Sequence, residues 1–156
     1  MSIYCDDKFF MLGIHSTILD KLRSIPEDVY IITSCSAMKI YYFSRLHSIK
    51  GVVFCSERAL RLLCGVVNGK LYNLNELFSF PVLEMDRNKR LPQLSSQEEK
   101  LLKLFAGNRN TRIKMLILDC DYKKLNVIHL RVRKKLQCNN DVELYFKLLM
   151  MKIGDV

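Results

Sequence analysis

Hydrophobic and polar positions follow different patterns in the two halves of the chain. In the first half, short β-branched and aromatic runs at 29–33 and 51–55 alternate with stretches of helical periodicity at 37–47 and 57–67. Runs of about five such residues are typical of buried parallel strands. Because strands that alternate with helices usually build one α/β layer, we predict an α/β part with two or three strands.

From residue 94 onward the pattern is helical only. Ser95 and Glu98 have the spacing of a capping box, in which the serine hydroxyl accepts from the amide three residues on and the carboxylate reaches back to the serine amide. Asp121 is the expected N-cap of a later helix. We predict four helices: one from Ser95 to a left-handed stop at Gly107-Asn108, and three at about 111–118, 122–136 and 142–152.

A polar, basic stretch separates the two parts. Residues 85–90 show no periodic apolar pattern and are flanked by Pro81 and Pro92, which is typical of a linker. The predicted organisation is therefore an N-terminal α/β domain at 1–84, a linker at 85–93 and an all-α C-terminal domain at 94–156.

Positive charge is concentrated in the C-terminal domain. The chain holds 25 Lys and Arg against 16 Asp and Glu, a net charge of +9, of which residues 94–156 contribute +6. Such a surplus favours a polyanionic partner, either nucleic acid or an anionic membrane face. The chain contains no run of about 18 uncharged apolar residues, which is the length that spans a bilayer. Asp6, Asp7 and Lys8 interrupt any apolar core of a signal peptide. We expect a cytoplasmic protein with no membrane partner.

Residue types that carry catalysis or bind metals are scattered along the chain. The six cysteines form no closely spaced pair of the kind a zinc site needs, and we expect them to be small buried hydrophobes. Ser34, Cys35 and Ser36 form no nucleophile–base set. His129 is expected to be a hydrogen-bonded structural histidine. We predict no enzymatic activity, no catalytic residues, no cofactor and no metal.

The third predicted helix, at 122–136, is the most basic segment of the chain. On a wheel at 100° per residue one side is apolar and faces the core: Leu125, Ile128, His129, Val132 and Leu136. Val127 and Leu130 lie one turn apart in the middle of the opposite side, where water disfavours them. If the helix lay in the major groove of DNA, these two side chains would contact base edges and thymine methyl groups.

Lys and Arg surround these two aliphatic residues, as contacts with phosphates require. A charged helix face that is merely solvated remains the alternative. We predict that four residues contact bases, namely Lys123, Asn126, Val127 and Leu130. Five more are predicted to contact phosphates, namely Lys124, Arg131, Arg133, Lys134 and Lys135.

Residues 94–144 resemble the C-terminal DNA-binding domain of LuxR/NarL-type bacterial transcription regulators. The similar positions are Leu94-Ser95-Ser96-Gln97-Glu98 at the start, an apolar helix that ends near Ala106, and Lys135-Leu136, Asn140 and Glu143-Leu144 near the end. The resemblance implies a helix-turn-helix whose third helix enters the major groove of double-stranded DNA. This chain departs from the family at two positions. Lys114 stands where the family has Ile, and Asn126 stands where the family has a Lys that contacts bases.

The N-terminal part is similar to a truncated, degenerate phosphoacceptor receiver domain, which such regulators often carry. Asp6-Asp7 resembles the acidic pair of receivers. Thr33 ends the strand where the nucleophilic Asp would stand, and Cys55 occupies the Lys position. The resemblance therefore implies regulation without phosphorylation, with the two acids being remnants or helix-capping residues. A receiver-type switch that uses Asp6 and Asp7 is the least favoured alternative.

The fourth predicted helix carries more apolar residues than one core-facing stripe can bury. In the resembled family this helix is the dimer interface, which implies dimerisation through Tyr145, Leu148 and Leu149. The predicted function is a sequence-specific transcription regulator that binds DNA as a homodimer or as a heterodimer with another regulator. The alternative is an interaction protein that modulates a full-length regulator by heterodimerisation and reads little DNA sequence itself.

Overall fold

The structure is a computed structural model that describes residues 2–33, 49–79 and 91–151. The chain divides into two compact units, residues 1–90 and 91–156. Their boundary lies inside the stretch 85–93 that the sequence marks as a linker. Each unit has its own hydrophobic core.

The first unit contains a parallel four-stranded sheet with the strand order β1-β2-β3-β4. The strands are β1 (Ile3–Cys5), β2 (Val29–Ile32), β3 (Val52–Cys55) and β4 (Lys70–Asn73). Val29 is the register partner of both Ile3 and Val52. The α/β prediction is confirmed, but the expected number of strands was too low, because β1 has only three residues and β4 has only two apolar residues, Leu71 and Tyr72, between Lys70 and Asn73.

Helices flank the strands of this unit: α1 (Lys8–Gly13), α2 (Ser16–Arg23), α3 (Glu57–Leu63) and a 3-10 turn (Leu74–Leu77). Leu22 on α2 and Leu77 in the 3-10 turn share one core with Ile31 and Phe54 of the sheet. The helix predicted at 57–67 ends early, since Gly65 turns the chain with φ +81°. The helix predicted at 37–47 lies outside the described residues.

The second unit is helical, as predicted. Its elements are α4 (Ser96–Ala106), α5 (Thr111–Leu118), α6 (Tyr122–Lys135) and α7 (Asp141–Met151). The Ser95 hydroxyl accepts from the Glu98 amide at 3.3 Å, and the Glu98 carboxylate accepts from the Ser95 amide at 2.8 Å, so the capping box is present. The left-handed residue after α4 is Asn108 (φ +51°), whereas Gly107 has φ −76°.

The core of the second unit lies between these four helices. Leu125, Ile128, Val132 and Leu136 are buried, as the helical wheel predicts. Leu101 and Leu102 of α4 and Leu144 and Leu148 of α7 belong to the same cluster. Because α6 supplies three of its own helical residues to this core, its orientation in the unit is held by apolar packing along most of its length.

Cysteines of the described segments have differing environments. Cys55, Cys64 and Cys138 are buried, as expected, while Cys5 and Cys120 are partly exposed. Among residues 2–33, 49–79 and 91–151, no group of His, Cys, Asp and Glu is arranged to hold a metal ion. None of the helices in those segments combines the length and apolar character that crossing a membrane needs.

Candidate nucleic-acid interface

The side of α6 that faces away from the core is exposed and carries two aliphatic residues. Val127 is 41% exposed and Leu130 is 58% exposed. Asn126 and Lys123 beside them are also exposed. The exposed and buried sides of α6 are clearly separated. Leu125 and Ile128, the sequence neighbours of Asn126 and Val127, are buried on the opposite side of the helix.

Three further cations frame these residues. Lys124, Arg131 and Lys134 are exposed, and the described part of the chain offers none of them an ion-pair partner. We call the resulting surface the α6 outer face: Lys123, Lys124, Asn126, Val127, Leu130, Arg131 and Lys134. It combines a cationic rim with an aliphatic centre.

Asp121 fixes where this face begins. Its carboxylate accepts a 2.7 Å hydrogen bond from the Lys124 amide and so caps α6, as the sequence predicts. Asp119, two residues earlier, ends α5 in the left-handed conformation at φ +47°. The chain therefore passes from α5 to α6 through a turn of only three residues, 119–121.

Lys135, also predicted to contact a phosphate, is only partly exposed and forms an ion pair within the protein, so that we do not include it in this face. Its ammonium lies 2.7 Å from the Glu98 carboxylate and donates to the Gln93 carbonyl at 3.0 Å. The hydrogen bond from Lys135, followed by that from the Ser95 amide, holds the pKa of Glu98 below its ordinary value. Lys135 thus joins the end of α6 to the start of α4.

Arg133, another predicted phosphate contact, is also engaged within the protein, and its contact with a phosphate stays a prediction. The guanidinium donates to the Asn139 carbonyl oxygen and lies 3.7 Å from the Asp141 carboxylate. The same carboxylate lies 2.7 Å from Nε2 of His129, which confirms His129 as a hydrogen-bonded structural residue. Arg133 and His129 together link α6 to the start of α7.

The outward face of α7 differs by one residue from the predicted dimerisation set. Tyr145 is 45% and Leu149 36% exposed, but Leu148 is only 2% exposed and packs in the core. Leu148 is one turn beyond Leu144, which is buried, and residues four apart share a helix face. Val142, three residues before Tyr145, is also exposed.

Helix α5 has an exposed apolar surface that was not predicted from the sequence. Leu116 is 81% exposed, and Ile113 and Ile117 on the same side are also exposed. Their i, i+3, i+4 spacing was the signal available in the sequence. The ammonium of Lys114, between these residues in the sequence, lies 5.2 Å from the centre of the Phe105 ring, which is within the range of a cation–π contact.

The acidic pair of the first unit is engaged in structural hydrogen bonds. The Asp6 carboxylate accepts from the Thr33 amide at 2.7 Å and from the Thr33 hydroxyl at 2.8 Å. The Asp7 carboxylate caps α1 by accepting from the amides of Phe9 and Phe10. Cys55 is buried, and burial raises the pKa of its thiol to about 12. Asp7 is therefore a helix-capping acid, and Asp6 anchors the end of β2.

Comparison with known proteins gave no match. No protein-family model, no curated protein and no solved structure matches the chain. The resemblance to LuxR/NarL-type regulators accordingly stays a prediction.

Proposed function

We propose that this protein binds double-stranded DNA through the α6 outer face and regulates transcription. The observation that carries the proposal is the exposure of Val127 and Leu130 at the centre of a cationic rim. Water disfavours aliphatic side chains in such a position, while a major groove provides apolar methyl groups for the centre and phosphates for the rim.

The α5–α6 pair supports this assignment. Two helices joined by the tight turn 119–121 are compatible with a helix-turn-helix, in which the second helix enters the major groove. The α6 outer face is oriented away from the core, so DNA can approach it without rearrangement of the helices. Lys124, Arg131 and Lys134 would then contact phosphates on the two sides of the groove.

The first unit is proposed to be a receiver-like domain that works without phosphorylation. In this interpretation Thr33 stands at the position of the nucleophilic Asp, and its hydroxyl donates to Asp6. Cys55, in place of Lys, is buried and neutral around pH 7, because its thiol pKa is raised to about 12. Activity would then follow protein abundance or a partner, in the cytoplasm where bacterial DNA lies.

A second candidate is an interaction protein that pairs with a full-length regulator. The exposed apolar side chains Val142, Tyr145 and Leu149 on α7 favour it, because a contiguous apolar surface is typical of a dimer interface. The same surface would serve a homodimer that reads two half-sites. The two candidates differ in whether the protein alone selects a DNA sequence.

The decisive experiment measures affinity of the full chain for a fluorescent duplex between 50 and 200 mM salt. We expect log K to fall linearly with log salt, and Lys134→Ala to flatten the slope by roughly one unit. Lys100→Ala is the matched control, since Lys100 is an exposed lysine on α4 and its loss removes the same charge. Equal effects of the two variants, or no salt-dependent binding, would contradict the proposal.

A further inference from the structure

We propose that the α6 outer face reads thymine methyl groups, so that each preferred half-site contains thymines one or two base-pair steps apart. This inference rests on the proposed function and specifies which bases α6 contacts. The contacting side chains are Val127 and Leu130.

Both side chains are aliphatic and project into solvent, 41% and 58% exposed. They neither donate nor accept hydrogen bonds. If they packed against polar nitrogen and oxygen atoms of a base edge, they would exclude water from those atoms and leave them without a hydrogen-bond partner. Such a loss reduces the free energy of binding. The thymine C5-methyl is the apolar group that the four standard base pairs offer in the major groove. Thymine is therefore the base that this centre accommodates best.

The spacing of the two residues sets the spacing of the thymines. Side chains three residues apart on a helix surface have Cβ atoms about 5–6 Å apart, while successive base pairs rise about 3.4 Å. Val127 and Leu130 therefore reach positions one or two steps apart, on one strand or across both.

The neighbouring polar residue favours the same base pair. Asn126 is exposed immediately beside Val127, and an Asn side chain matches the N6 and N7 atoms of adenine, the partner of thymine. Four cations of the face surround this centre, Lys123, Lys124, Arg131 and Lys134, and the last three are the proposed phosphate contacts. Neither of the two central aliphatic residues nor Asn126 offers the acidic acceptor that recognises the cytosine N4 amino group.

The test replaces single thymines by deoxyuridine, which pairs normally and lacks only the C5-methyl. The full chain first selects duplexes from a random pool, and the affinity of the best duplex is then measured with deoxyuridine at each thymine in turn. We expect a loss of about fourfold at one or two positions in each half-site and no loss elsewhere. Because the change is in the DNA, folding of the protein is unaffected.

Three variants assign the contacts. Leu130→Ala should remove the deoxyuridine penalty at one position and Val127→Ala at the other. Leu116→Ala, at an exposed aliphatic residue on α5, should leave both penalties intact. A penalty that persists in both α6 variants would overturn the proposal.

The remaining outcomes separate this inference from the proposed function. Tight binding with no deoxyuridine penalty at any position overturns thymine reading and leaves DNA binding standing. Binding to the pool without enrichment of any sequence has the same meaning. Absence of binding to any duplex overturns both thymine reading and the proposed DNA binding.

Discussion

The ammonium of Lys147 donates a 2.7 Å hydrogen bond to the carbonyl oxygen of Leu136. Lys147 is fully buried on α7, and Leu136 is the C-cap of α6. The last carbonyls of a helix lack partners within the helix and carry the negative end of its dipole. A buried hydrogen-bond donor at this point stabilises the end of α6 and joins it to α7.

Replacement of Lys147 by Met should therefore lower stability although it keeps an unbranched side chain of similar length. We expect the free energy of unfolding to fall by about 1–3 kcal/mol, the typical cost of leaving a buried acceptor without its charged donor. Chemical denaturation measures this change. Lys100→Met, at an exposed lysine, is the control and should change stability by less than about 0.5 kcal/mol.

Acid should weaken the second unit through Glu98. Its folded-state pKa is below the ordinary value of 4.5, mainly because of the Lys135 hydrogen bond. The stabilising contribution is therefore complete above that value and is lost as pH falls through the folded-state pKa. Glu98→Gln should lower the free energy of unfolding at pH 7, and the difference from the unsubstituted protein should narrow as the pH falls below 4.5. A difference that is independent of pH would contradict the ion pair.

Two adjacent lysines at the end of α6 should behave differently. Lys135 is bound to Glu98, so Lys135→Ala should lower the thermal midpoint and leave the salt dependence of DNA binding nearly unchanged. Lys134 is exposed, so Lys134→Ala should do the reverse. Thermal unfolding and salt titration of both variants check this contrast, which fails if Lys135→Ala flattens the salt slope by as much as Lys134→Ala.

Neighbouring leucines on α7 give a second contrast. Leu148→Ala should lower the free energy of unfolding by about 2–5 kcal/mol, because Leu148 is buried in the core. Leu149→Ala, at a partly exposed site, should change stability little and weaken self-association. Denaturation and sedimentation velocity measure the two effects. Unchanged association in the Leu149 variant would remove α7 from the proposed dimer interface.

Helix periodicity predicted most of the second unit because local signals and packing agree there. The Ser95–Glu98 box and the Asp121 cap mark helix starts in the sequence. The buried and exposed sides of α6 follow from the 3.6-residue repeat. Strands β1 and β4 were harder to predict. Strand β1 has only three residues, and the two apolar residues of β4 lie between Lys70 and Asn73, so neither strand shows a clear pattern.

The sequence does not show which cations of the basic run are paired within the protein. Arg133 and Lys135 share the basic run with Lys134, and nothing in their residue type separates them. Their partners, Asp141 and Glu98, lie on other helices. Only the folded arrangement of α4, α6 and α7 shows which cations are already paired and which remain available for phosphates.

Methyl-resolved NMR of the full chain during titration with its selected duplex tests DNA binding by α6 most directly. We expect the methyl signals of Val127 and Leu130 to shift and to show contacts with DNA protons, while those of buried Ile128 and Val132 change far less. Shifts confined to other surfaces, with Val127 and Leu130 unmoved at saturation, would contradict the account.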